Sequence, residues 1–283
     1  MSRLEKWAKE LRDPILVAAC SGWVDAGMAG VNAVTYLTEQ LLEAEEIMCL
    51  DISQAVDLSQ SRPVVEISEG QILRVEWPCL VLSGAHSPER DVLLLQGPEP
   101  AREWHSLVGK LVDTAIDLGV SEVYILGGMP GMVTHRYPVQ VLATVNESVP
   151  AGKVLPRRPD YSGPTGILTV LQYELGRRGI PAIGLWAQIP PYLASVSSAP
   201  GVRALLQRLM DLTRLQLDLS HLAKDVEEYR EKVEEQLSGR PELASMIDRF
   251  EMVAESAAQL QEDSLPSGEE IASEIERFLR DEA

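Results

Sequence analysis

Three glycine-rich segments hold the residues best placed to do chemistry. The first, Ser21-Gly22-Trp23-Val24-Asp25-Ala26-Gly27, follows an apolar run and leads into a helical pattern, which sets Asp25 at a helix N-terminus. Unpaired backbone N–H groups collect at such an end, so the position suits an anion or ligand, or else the Asp25 carboxylate acting as the cap. Capping is the favoured reading: a carboxylate there repels an anion, while Gly27 and Gly30 let the helix lie close to a sheet. The second segment, Gly127-Gly128-Met129-Pro130-Gly131, leaves an apolar run over 123–126 at the edge where open α/β sheets place ligand clefts, and a tight turn explains most of it. His135 and Arg136 follow within reach of such a cleft. No carboxylate or nucleophile stands at a readable spacing from His135, so it is given no catalytic role. The third, Tyr161-Ser162-Gly163-Pro164-Thr165-Gly166, opens a helical pattern through residue 178, with Ser162 or Gly163 as the expected cap. Arg157 and Arg158 lie just upstream, which makes a phosphate cradle the alternative to a plain helix start.

The motifs that announce common enzyme classes are missing. There is no Gly-x-Ser-x-Gly elbow, no His/Cys/Asp/Glu cluster at metal-ligand spacing and no dinucleotide or P-loop fingerprint. With four His in the chain, no catalytic residue, cofactor or metal is assigned. The binding candidates are Trp23, Asp25, Gly27, Gly127, Gly128, Met129, His135, Ser162, Gly163, Thr165 and Gly166.

Short β-branched or Leu-rich runs over 15–20, 47–52, 64–67, 72–76, 80–83, 92–96, 123–126, 139–145 and 182–188 read as strands. Several are apolar throughout, as strands covered on both faces are. Between them, 26–42, 101–118 and 164–178 repeat apolar residues every three or four positions and the last two end at Gly119 and Gly179, so they read as crossover helices. The expectation is an α/β domain over residues 1–200. Residues 201–283 form a helical appendage. From Leu205 to Leu237 the apolar stripe predicts one long helix, broken at 239–241 and repeated from Leu243 to Leu260 as an antiparallel hairpin. Ser267 with Glu270 forms a capping box for a last helix through Arg280.

Composition narrows the partners. Apolar residues make up 45% of the 283, enough for a sizeable core. Net charge is −18, and residues 201–283, with 20 acidic against 10 basic side chains, hold −10 of it. So acidic a surface repels phosphate backbones, which argues against nucleic acid. Charges interrupt every apolar run before it reaches a membrane span's length, and no secretory signal opens the chain, so the cytoplasm is expected. Cys20, Cys49 and Cys79 are odd in number and lie in or beside apolar runs, and are expected as buried thiols.

Taken in order, Gly22-Trp23-Val24-Asp25-Ala26-Gly27, Gly127-Gly128-Met129-Pro130 and Gly163-Pro164-Thr165-Gly166-Ile167 resemble the proteasome assembly chaperone 2 family. The acidic tail closing on Pro266-Ser267-Gly268-Glu269-Glu270-Ile271 is similar to its actinobacterial branch. The resemblance implies a phosphorylase/hydrolase-like three-layer α/β fold with a mixed central sheet, plus a C-terminal α-helical hairpin and final helix. It also implies a non-enzymatic, homo-oligomeric module, often trimeric, that binds proteins such as proteasome α-subunits. Proteasome-binding relatives end in a hydrophobic-Tyr-any tripeptide, where this chain has Asp281-Glu282-Ala283. The competing expectation is an enzyme on a nucleoside-phosphorylase-like scaffold, or a carboxylate–amine ligase, with a cleft near Asp25, Gly128, His135 and Thr165.

Overall fold

Along the first strand Ile15, Val17 and Ala19 enter one buried cluster and Leu16, Ala18 and Cys20 another. A strand apolar on both sides has to be covered on both. In the computed structural model, which describes residues 3–41, 44–154, 160–238, 247–249 and 251–252, that strand lies at the centre of a seven-stranded sheet. The strands are β1 (Ile15–Ser21), β2 (Glu45–Asp51), β3 (Val64–Ser68), β4 (Gln71–Glu76), β5 (Cys79–Ala85), β6 (Val92–Pro98), β7 (Glu122–Pro130), β8 (Val141–Val145) and β9 (Ala182–Ile189). The helices are α1 (Arg3–Glu10), α2 (Ala29–Gln40), α3 (Trp104–Asp117), α4 (Ile167–Arg177), α5 (Ala199–Thr213) and α6 (Ser220–Ser238). All nine expected strands are present.

The sheet runs β2-β5-β6-β1-β7-β9-β8. Its centre, β6, β1, β7 and β9, is parallel, and β5, β2 and β8 are added antiparallel at the flanks, so the sheet is mixed. Leu107, Leu111, Leu168 and Leu171 of α3 and α4 cover one face, and Trp7 of α1 joins that core, stacked 4.8 Å from the His86 ring. Ala33, Leu37, Leu205 and Leu209 of α2 and α5 cover the other. The result is three layers. β3 and β4 stand apart as a two-stranded ribbon.

Two expectations need correction. The stripe from Leu205 to Leu237 is not one helix, because Arg214 adopts a left-handed conformation at the end of α5 and residues 214–219 are not helical. The reason is legible in hindsight: Leu215, Leu217 and Leu219 alternate every second residue and all pack on the second core cluster. That cluster also takes in α5. The break at 239–241, most of the second hairpin arm and the last helix lie outside the described residues, although Ile247 is buried. The second correction concerns sulfur. Cys49 is exposed and Cys79 half-buried, and the two are joined as a disulfide between the adjacent antiparallel strands β2 and β5, with Cα atoms 5.9 Å apart. Cys20 alone is a buried free thiol, and burial raises its pKa well above the usual range.

Candidate functional site

The three glycine-rich segments meet at the carboxyl edge of the parallel strands, and each is held there by another. Asp25, buried, accepts hydrogen bonds from the N–H of Gly30 at 2.6 Å and of Val31 at 3.3 Å, so its carboxylate closes the N-terminus of α2. Its backbone also bridges in parallel to Gly128. Gly127 to Pro130 are therefore not the expected turn. They continue β7, paired residue by residue with Trp186 to Ile189 of β9. Their glycines answer to close approach: a Cβ at Gly127 would lie 2.6 Å from the Val24 carbonyl oxygen and the Trp186 ring, and one at Gly128 would overlap the Ala26 backbone. Gly27, at φ +66°, donates its N–H to the Ala194 carbonyl at 2.6 Å and accepts from the Ser198 N–H at 2.8 Å. The loop entering α5 thereby sits on the first segment.

The third segment is closed by a residue that sequence reading missed. Helix α4 begins at Ile167 with Gly166 as its cap, not at Ser162 or Gly163. Glu99 reaches across from the end of β6 and accepts the Ile167 N–H at 2.9 Å and the Trp23 N–H at 3.2 Å. One carboxylate thus caps a helix and ties the first segment to the third. A Cβ on Gly166 would come within 2.8 Å of both Glu99 Oε1 and the Val24 side chain. Nothing local to Pro98-Glu99-Pro100 announces this role, since the helix it caps lies 68 residues on. Ser162, Gly163 and Thr165 stay exposed, and Met129 is half-buried.

Two helix N-termini converge here, and each already holds a carboxylate of the chain itself. An added anion would meet Asp25 and Glu99 rather than free N–H groups. Beside the N-terminus of α4, Cys20, Val24, Glu99, Gly166 and Trp186 line a cavity of about 10 Å³. That is about the room for one water, against the ~300–1,000 Å³ of a ligand pocket.

His135 does not face this edge as a free polar group. It is buried, its Nδ1 lies 2.8 Å from the Tyr192 hydroxyl and its Nε2 2.9 Å from Glu234 Oε1 on α6. Arg136 extends the contact to Asp248 and Glu251, both at 3.2 Å, and the Thr134 hydroxyl donates to Glu251 at 3.0 Å. The hydrogen bond to His135 holds the Glu234 carboxyl below its ordinary pKa. Residues 134–136 therefore fasten the helical tail onto the sheet domain.

Burial raises the pKa of Asp25 to about 6, against the lowering effect of its two backbone hydrogen bonds. The native state then binds more protons than the unfolded chain between about pH 4 and pH 6, so Asp25 makes the fold less stable as pH rises through that window. At about 1.4 kcal/mol per unit the difference is about 2 to 3 kcal/mol. Denaturant titrations of the native protein and Asp25→Asn from pH 4 to 8 should show the native protein losing that much relative to the variant. Parallel curves would mean that Asp25 titrates as an ordinary carboxylate.

The same architecture occurs in solved structures. A PAC2 family protein from Streptomyces avermitilis superposes with a TM-score of 0.76 at 32% identity, over 84% of this chain and 99% of that one. A Mycobacterium tuberculosis proteasome-assembly chaperone homologue gives 0.74 at 31%, over 82% and 98%. A Pyrococcus furiosus archaeal proteasome activator shares the fold, with a TM-score of 0.63 at 19% identity, over 80% of this chain and 94% of that one. Among curated proteins, an uncharacterised protein of Methanocaldococcus jannaschii is 25% identical over 169 residues, which span 56% of this chain and 64% of that relative. The PAC2 family model matches residues 19–237, from the end of β1 to the last turn of α6 and through all three glycine-rich segments, and the chain belongs to the PAC2 family.

Proposed function

We propose that this chain is a non-enzymatic, homo-oligomeric protein-binding module of the cytoplasm, that it serves proteasome assembly, and that it binds proteasome α-subunits through the carboxyl edge of its sheet. One observation carries the reading. The two carboxylates at that edge, Asp25 and Glu99, are spent on the chain's own backbone, while Trp23, 63% exposed, and Tyr161, 51% exposed, stand on the two loops that Glu99 ties together. Aromatic side chains on rigid, internally satisfied loops are the usual anchors of protein interfaces. The solved relative named as a proteasome-assembly chaperone homologue supports the choice of partner. The net charge of −18 sets nucleic acid aside.

Binding of purified proteasome α-subunits by calorimetry tests the proposal. Trp23→Ala should weaken the affinity by about 30-fold, the loss of one interface anchor, with an unchanged melting temperature. Failure to bind α-subunits at tens of micromolar would end this reading. A thermal shift with nucleosides, nucleotides or phosphate, of the ~2.7 kcal/mol expected at a hundred times a dissociation constant, would move it to an enzyme.

A further inference from the structure

We infer that α6 is a strap that sets how firmly the carboxyl edge of the sheet is held, acting through the loop between β9 and α5. Leu222 seats the start of the helix in the second core cluster. Toward its far end, beside the buried Val233, polar contacts take over. The Glu234 carboxylate can only accept, so it takes the His135 Nε2–H at 2.9 Å, and Arg136 Nε lies 3.5 Å from the same oxygen. The other side of the His135 ring meets the loop: its Nδ1 is 2.8 Å from the Tyr192 hydroxyl, which also accepts the His135 N–H at 3.2 Å. Burial pushes the Tyr192 pKa up to about 12, so that hydroxyl keeps its proton.

A few residues on, the same loop carries the first glycine-rich segment. The Ala194 carbonyl accepts the Gly27 N–H, the Ser198 N–H donates to the Gly27 carbonyl, and the Ser197 hydroxyl accepts from Asn32 Nδ2 at 2.9 Å. Tyr229 of α6 lies against the Ser198 side chain, whose hydroxyl caps α5 by accepting the Gly201 N–H at 3.1 Å. The loop is therefore pinned by α6 on one side and grips the loop of Trp23 and Asp25 on the other. The two grips differ in strength. Gly27 and Gly128 are held backbone to backbone inside the fold, whereas α6 is fastened by side chains that reach solvent: Glu234 is 53% exposed and Arg136 39%. Exposed ion pairs are weak and screened by salt, and local opening starts where contacts are weakest. Release of the strap thus comes first and loosens the loop, and the first segment follows.

The strap bears on the edge that the function proposed above depends on, yet it is tested with no partner present. A failure to bind α-subunits would end that reading and leave this one standing. Amide hydrogen exchange of the full chain is followed by mass spectrometry beside Glu234→Ala and Tyr192→Phe. Glu234 lies on the outside of α6 and Tyr192→Phe keeps the ring, so neither variant empties the core. In both, peptides spanning 21–31 and 190–198 should exchange about tenfold faster, the worth of one hydrogen bond to a charged group, while peptides of β1 and α3 keep their native rates. Native rates at 21–31 and 190–198 in Glu234→Ala would overturn the strap. An equal rise in β1 would do the same, because it reports global unfolding. Faster exchange in Tyr192→Phe alone would assign the grip to the loop's own tyrosine and likewise overturn the role of α6.

Discussion

Gly128→Ala is expected to cost about 3 to 4 kcal/mol of folding stability, at the upper end of what overpacking a close-packed interior does. The added methyl would overlap the carbonyl oxygen and carbon of Ala26. Both colliding groups are backbone, so no side-chain rotamer relieves the clash. To make room, the segment through Asp25 and Ala26 has to leave β7, which breaks the Asp25–Gly128 bridge and pulls the Asp25 carboxylate from the N–H groups of Gly30 and Val31. Gly109→Ala on α3 is the control, since nothing lies within 4 Å of its added methyl and a helical Gly→Ala exchange gains about 0.5–1 kcal/mol. Urea unfolding followed by circular dichroism measures both. A Gly128→Ala protein within 1 kcal/mol of the native one would show that the first segment yields easily and that the carboxyl edge of the sheet is not rigid.

Removing the disulfide, by Cys49→Ser with Cys79→Ser, is expected to cost a further-reaching 3 to 4 kcal/mol, about what closing a loop of this length contributes. The two cysteines are 30 residues apart and the loop contains the whole β3–β4 ribbon, so the unfolded chain gains much freedom when the bond is lost. The same loss should appear when reductant is added to the native protein and should vanish in the double variant. Thiol titration gives an independent reading. In denaturant without reductant one thiol, that of Cys20, should react, and three after reduction. Denaturant is needed because burial keeps the Cys20 thiol protonated. Three thiols reacting before reduction would remove the bond, and with it the closure of the loop that carries the β3–β4 ribbon.

Much of the fold is legible along the chain because it is written in periodicity. Strands such as 15–20 and 182–188 are apolar at successive positions, and α3 repeats Leu107, Leu111 and Ala115 every four residues. Where two periods overlap, the reading slips. Leu205 and Leu209 step as a helix, Leu215, Leu217 and Leu219 alternate as an extended segment, and Leu222 and Val226 step as a helix again, so a three-to-four spacing joins them into a single false helix. Gly127-Gly128 slipped for a different reason. A glycine pair usually marks a turn, and here it marks a strand pressed against another backbone, which no residue nearby reveals.

Element order, the doubly covered sheet and the candidate segments themselves thus follow from local pattern, because side-chain periodicity and turn chemistry act over a few residues. What those segments do follows from the strand order β2-β5-β6-β1-β7-β9-β8, which sets β1 between β6 and β7 and so brings Asp25, Glu99, Gly128 and Gly166 to one edge. Only then does Glu99 find the N–H of Ile167, His135 find Glu234 on α6, and Cys49 find Cys79. Each of these contacts joins residues 30 to 99 positions apart, and a contact at that range is fixed by packing the whole core rather than by any stretch of sequence that could be read alone.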